Sequence, residues 1–261
     1  MRDFMIDSHI HLDADQYADV AGLIKRAHEA GLKAVVAPGI TPSSNRRVME
    51  LARAHADFVH AAIGFHPERF DLTDDDLAAT LSMARTYRDR ICAIGEVGLP
   101  WYGELARRGD VIDRGRRILA RFAQLANELD LALILHCPHE TAREALSIIK
   151  AAKVRRAVFH WHKSDAATTR AIIEAGYFIS LTPEVVYRDR DQALAAIVPL
   201  NRMMVETDGP WPYGGPFAGK PTEPNFIADV ISAIARIRGS SLDAIVDALT
   251  ANAGSLFGIA P

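Results

Sequence analysis

What the chain lacks closes several classes of protein. No apolar run among its 261 residues approaches the 18 or more that a membrane span requires. Asp3 and Asp7 interrupt the first residues before the apolar stretch of a signal peptide can form, so a cytoplasmic protein is the expectation. The only two cysteines, Cys92 and Cys137, are too few for a disulfide framework and read as buried thiols in two separate strands. Neither sign of charge dominates: 30 basic against 33 acidic residues leave a net charge of −3. That balance does not advertise a nucleic-acid partner, although a metal or a local basic patch could still reach one. No Ser/Gly/Pro-rich linker and no internal repeat divides the chain, so residues 1–261 are expected to form a single domain, a length that α/β barrels reach routinely.

What is present is a regular alternation. Eight short apolar runs, "FMIDSH", "KAVVAPG", "FVHAAIGFH", "ICAIGEVG", "LALILHC", "RAVFHWH", "YFISLT" and "RMMVETD", are separated by stretches such as 18–30 and 111–129 whose apolar residues recur at the helical spacing of three and four. Strands that are apolar at nearly every position and alternate with helices imply a parallel sheet covered on its outside. Eight such units predict an α/β fold of the (β/α)8 TIM-barrel type, with a doubly wound open sheet as the rival. The Pro/Gly-rich stretch 209–224 follows the eighth run and reads as a long active-site loop. Pro224 and Asn225 then open a helix, and a closing helix in "SLDAIVDALTANAGSLFGI" has Ser241 or Asp243 as its cap.

Barrel active sites lie at the C-terminal ends of the strands, and these ends are rich in metal-ligand types. His9 and His11 end the first run, His66 the third, Glu96 the fourth, His136 the fifth, His160 and His162 the sixth, and Asp208 the eighth. Residues two apart on a strand share a face, which pairs Ile94 with Glu96, Ile134 with His136, Val158 with His160 and Glu206 with Asp208, all able to point inward. His28, His55 and His139 fall in helical stretches and His60 at the other end of its strand, so these four read as structural. Six ligands exceed the roughly three protein ligands of an open catalytic zinc, so two divalent ions are expected. Glu96 is placed to bridge ions about 3.5–4 Å apart. His9, His11 and Asp208 would hold one ion, and His136 and His160 the other. Water between two such ions is deprotonated near neutral pH and can attack phosphorus or a carbonyl carbon, with Asp208 also taking a proton. Glu206 reads either as an orienter of a ligand histidine or as a buried carboxylate paired with another strand. Zn, Mn, Mg and Fe all suit mixed His/carboxylate ligands.

The chain resembles the TatD family of metal-dependent hydrolases within the amidohydrolase-like barrels. "DSHIHLD", "GFHPE", "IGEVGL", "LILHC", "FHWH", "VETDGP" and the tail "NFIADVISAIARIRG...NAGSLFGI" occur in the family's order over essentially the whole chain. The resemblance implies the same six ligands, His9, His11, Glu96, His136, His160 and Asp208, with His66 near the substrate; Glu96 as bridge and Asp208 as proton acceptor remain the catalytic pair read from the residues. It also implies phosphodiester hydrolysis, commonly of DNA, so the expected partner is a small-molecule or nucleic-acid phosphoester.

Three departures bear on the substrate. Pro100 stands where the family usually carries an acidic residue after "GEVGL", and Pro138 where it usually carries an arginine, the side chain best matched to phosphate. The small, Gly-containing turn after the sixth strand is "HKSD" here, so His162 and Lys163 either replace the missing positive charge as substrate-binding residues or are solvated loop residues. Loss of the arginine favours a rival, ester or amide hydrolysis on the same binuclear centre. One-ion deamination and a non-catalytic binding barrel are further rivals, the first disfavoured by a bridging Glu96 and the second by the intact ligand set. Arg107–Arg108, Arg114–Arg116–Arg117 and Arg188–Arg190 would either follow a phosphate backbone or form solvated helix faces.

Overall fold

The structure, a computed structural model, describes residues 5–260. Its eight strands are β1 (Met5–Asp7), β2 (Leu32–Pro38), β3 (Val59–Ile63), β4 (Ala93–Gly98), β5 (Ala132–His136), β6 (Ala157–Phe159), β7 (Phe178–Leu181) and β8 (Met203–Val205). They pair in chain order, each parallel to the next. Ser8 N donates to Val205 O (3.0 Å) and Asp208 N to His9 O (2.9 Å), joining the last strand to the first. The expected TIM barrel is therefore the fold, and the open sheet is excluded. Phe4, expected in the first strand, lies outside the described residues.

Helices α1 (Val20–Glu29), α2 (Pro42–Ala54), α3 (Asp74–Thr86), α4 (Gly109–Leu129), α5 (Thr141–Ala151), α6 (Ala166–Glu174), α7 (Asp189–Ile197), α8 (Ile227–Arg238) and α9 (Leu242–Phe257) follow the strands. Their starts are set by side chains that accept the first unpaired amides: Asp19 takes Gly22 N, Asp165 takes Ala167 N and Thr168 N, and Ser241, not Asp243, takes Ala244 N. Pro224 and Asn225 begin a 3₁₀ turn, Pro224–Phe226, and the α-helical backbone starts only at Ile227. None of the helices among the described residues is long and apolar enough to cross a membrane.

Two apolar clusters show which strand positions face inward. Leu133, Leu135, Phe159 and Val205 pack with the helices, whereas Ile134, Val158 and Met204 join Ile6, Val36 and Ala62 in a separate inner cluster. Ala253, Leu256 and Phe257 of α9 and Ile259 complete that inner cluster and seal the floor of the barrel. Inward parity therefore carries from Ile134 to His136, from Val158 to His160 and from Met204 to Glu206, as alternation requires. It fails on β4. There Ala93 belongs to the inner cluster and Ile94 to the outer one, so Ile94 and Glu96 do not share a face. The β4–β5 register shifts between Ile94 and Val97, and this irregularity returns Glu96 to the interior.

Two glycines make room for the site. A Cβ on Gly98 would stand 1.8 Å from His136 O, and one on Gly64 would stand 2.2 Å from Glu96 N. The strands carrying His66, Glu96 and His136 can approach this closely only without those carbons. Asn45 of α2 then pins Gly64 from both sides, its Nδ2 donating to Gly64 O and its Oδ1 accepting from Gly64 N, each at 2.9 Å.

Candidate active site

All six expected ligands converge at the C-terminal mouth of the barrel. Glu96 stands at their centre, 1% exposed. Its Oε1 lies 2.7 Å from His136 Nδ1, 2.7 Å from His160 Nε2 and 3.4 Å from His66 Nε2. Its Oε2 faces the other way, 3.4 Å from both His9 Nε2 and His11 Nε2. Asp208 Oδ1 lies 3.4 Å from the same two nitrogens, which are themselves 3.3 Å apart. Thus one carboxylate divides the histidines into two groups, each converging on its own oxygen. Three sets of donors lie close enough to share a cation: His9, Glu96 and His160; His9, His11 and Asp208; and His66, Glu96 and His136.

The electrostatics of this cluster call for positive charge. Burial opposes ionisation of Glu96, but His66, His160 and His9 outweigh it and hold the carboxyl well below its usual range. Asp208 is likewise lowered against its burial, chiefly by His11 and His9. The carboxylates in turn overcome burial to lift His160 well above an ordinary histidine and His11 to about 10. Glu96 Oε2 is buried without a hydrogen-bond donor, a costly state for a carboxylate oxygen unless a cation faces it. Divalent cations fit this donor set, since they supply the charge while leaving the imidazoles neutral and ligating.

Supporting residues hold the ligands. Glu206 accepts from Trp161 N (2.7 Å) and Ser180 Oγ (2.6 Å) and lies 3.2 Å from His160 Nδ1, so of its two sequence readings the structure shows the contact with a ligand histidine. Asp7 accepts from Thr207 N (3.0 Å), Thr207 Oγ1 (2.5 Å) and His9 N (3.2 Å), tying β1 to the segment after β8. Burial pushes its carboxyl up to about 8.

Other groups at the mouth carry no periodic signal in the sequence. Glu68, in the "GFHPE" segment, accepts from Trp101 N (2.6 Å) and Tyr102 N (3.1 Å) and faces His136 Nε2 at 3.8 Å. Its partners are more than 30 residues away, so only the fold reveals it. Glu184 accepts from Trp161 Nε1 (3.0 Å) and Arg190 (2.6 Å), and Arg190 also binds Asp191. Trp211 stands edge-on to Trp161 with ring centres 5.5 Å apart.

His162 is corrected. Its ring is 2% exposed, its Nε2 meets Thr169 Oγ1 of α6 at 2.9 Å, and it packs edge-on against Phe159. It belongs beneath α6 and does not line the mouth, because β6 ends at Phe159 and the turn at Trp161 (φ 38°) breaks the alternation that would have kept residue 162 on the face of His160. Lys163 does reach the mouth, with its Nζ 3.4 Å from the centre of the Trp161 ring. His139, expected in a helix, lies in the turn before α5 at φ 54°.

The match to a family model decides the relationship: residues 6–258 fit "TatD related DNase". The chain belongs to that family. It is 32% identical over 213 residues to an uncharacterized metal-dependent hydrolase of Haemophilus influenzae, covering 81% of this chain and 83% of that one. Human deoxyribonuclease TATDN3 is 28% identical, with 97% and 94% covered, and the 3'-5' ssDNA/RNA exonuclease TatD of Erwinia amylovora is 29% identical, with 98% and 100% covered. The crystal structure of the TatD homologue YJJV from Escherichia coli superposes with a TM-score of 0.91 at 25% identity, over the whole of both chains. This TatD-type barrel thus keeps the family fold from first strand to last.

Proposed function

We propose that this TatD-type protein is a divalent-metal-dependent hydrolase of phosphoester bonds, working with two ions held by His9, His11, Glu96, His136, His160 and Asp208. The observation that carries the reading is the division of Glu96, whose two oxygens serve two separate groups of histidines. The relatives named as a deoxyribonuclease and an exonuclease support the phosphoester as the bond attacked. Bound at this site, divalent ions lower the pKa of water and polarise a phosphoryl oxygen.

The chain's own residues do the rest. Asp208, held ionised by its histidine neighbours, takes the proton of the attacking water on its carboxylate. Glu206 keeps the His160 ring turned toward Glu96. Lys163, over Trp161, supplies at the mouth the positive charge that Pro138 cannot, and His66 lines the approach beside Glu96.

Five of the seven arginines in the three clusters are paired with acids, which leaves Arg107 and Arg117 and no continuous basic track for a long nucleic acid. Arg108 pairs with Asp110, Arg114 with Asp74, Arg116 with Asp113 and Glu144, and Arg188 and Arg190 with Glu184. Small phosphodiesters and strand ends are therefore the better substrates. The test is to assay metal-loaded protein on matched phosphodiester and carboxyl-ester substrates. Hydrolysis of the phosphodiester alone supports the reading. Efficient cleavage of carboxyl esters or amides with every phosphoester untouched replaces it by the ester/amide reading that Pro138 favours.

A further inference from the structure

At the opposite end of the barrel, beneath the starts of β3 and β4, lies a cavity of about 840 Å³, within the range of small-molecule sites. Helix α2 forms one wall. Arg46, Met49 and Arg53 line the cavity from it, a spacing of three and four that puts all three on one helix face. Arg90, in the turn after α3, lines it from another side.

The charges of this cavity do not balance. Its two carboxylates are engaged by arginines outside it: Glu50 with Arg47 at 3.6 Å and Asp89 with Arg88 at 2.9 Å. Arg46, Arg53 and Arg90 have no ion pair or side-chain hydrogen bond among the described residues. This sets them apart from the paired arginines of α4 and α7 described above. Three unpaired guanidiniums around one cavity suit phosphate, whose oxygens they can grip with paired N–H donors.

The interior adds a second requirement. Phe257 is buried, Tyr87 is partly buried, and Val59, Ala61 and Ile91 contribute further apolar surface. His60 stands among them, and its burial lowers its pKa, so the imidazole is neutral and offers one donor and one acceptor. A bare inorganic anion would use the arginines and leave this apolar lining unused.

We infer that the cavity is a second ligand site, distinct from the metal cluster, for a small phosphorylated molecule with a flat ring body, of the nucleotide class. The arginines hold the phosphates while the ring body lies against Tyr87 and Phe257 with an edge toward His60.

The experiment is calorimetric titration of the metal-loaded full chain with ADP, with adenosine and inorganic phosphate as the two half-ligands. One ADP per chain is expected, bound more tightly than either half. Arg53→Ala and Arg90→Ala should each weaken ADP about tenfold, as expected for loss of a charge-assisted hydrogen bond, while metal-dependent hydrolysis stays at the wild-type level. Glu96→Gln should leave ADP binding unchanged. Absence of ADP binding, equal affinity in the arginine variants, or loss of binding in Glu96→Gln alone overturns the proposal. Inorganic phosphate binding as tightly as ADP also overturns it, because the ring body would then contribute nothing.

Discussion

Glu206 Oε1 lies 3.2 Å from Nδ1 of His160, behind the ring whose Nε2 faces Glu96 at 2.7 Å. A ring gripped on its far nitrogen is fixed in orientation, and loss of such partners typically costs 10–100-fold in metal affinity. Glu206→Ala should therefore weaken metal binding by about that factor, read by chelator competition, while the circular dichroism of the barrel is unchanged. Unaltered affinity would mean that packing alone orients His160.

Fully loaded, active protein should contain two divalent ions per chain by elemental analysis, because each Glu96 oxygen faces its own histidine group. Glu96→Gln should lower occupancy and turnover with the fold retained, since the cluster sits at strand ends where function and stability largely separate. A single ion in active protein would remove the bridging role.

Asp208→Asn should lower kcat by more than it raises KM. The carboxylate is assigned a proton-transfer task realised only in the transition state, and general-base catalysis contributes about 10²–10⁴-fold. A rise in KM at constant kcat contradicts that assignment.

His162 should affect stability and leave catalysis untouched. Burial lowers its folded pKa to about 4 from an ordinary 6.5. Between those values the unfolded chain binds more protons than the folded one, so stability is full above about pH 6.5 and is lost as pH falls toward 4. By linkage, about 2 kcal/mol should disappear between pH 7.5 and pH 5. His162→Gln cannot titrate, and denaturation at the two pH values should show a smaller loss for it by that amount. Its kcat/KM at pH 7.5 should match the wild type.

Lys163→Ala should weaken anionic substrates about tenfold, the loss expected of one charge-assisted contact, and spare neutral ones. Steady-state kinetics on a charged and an uncharged ester of the same alcohol make the comparison. Equal losses on both would assign Lys163 to holding Trp161 in place.

The barrel was legible because its signals are local. Eight apolar runs, helical spacing between them, and ligand types closing the runs all follow from periodicities of two and about 3.6 residues that backbone geometry imposes on any sequence. Ile134 with His136, Val158 with His160 and Met204 with Glu206 obey that rule. β4 does not, because a register shift is a property of two paired strands and cannot be read from one. Beyond the strand ends no period remains, and each side chain goes where a distant partner satisfies it. His162 turns to Thr169 beneath α6, Lys163 to the ring of Trp161, and Glu68 to amides more than 30 residues away. The same holds for charge. Arg114 and Arg116 meet Asp74 and Glu144 only in the fold, whereas Arg108, Arg188 and Arg190 pair with acids a few residues away, and Arg46, Arg53 and Arg90 come to one cavity only because α2 lies beside the turn after α3. Sequence alone determined the eight-fold alternation and the inventory of ligands; tertiary structure decided which side chains share a cavity, because burial and pairing are settled between segments and not within them.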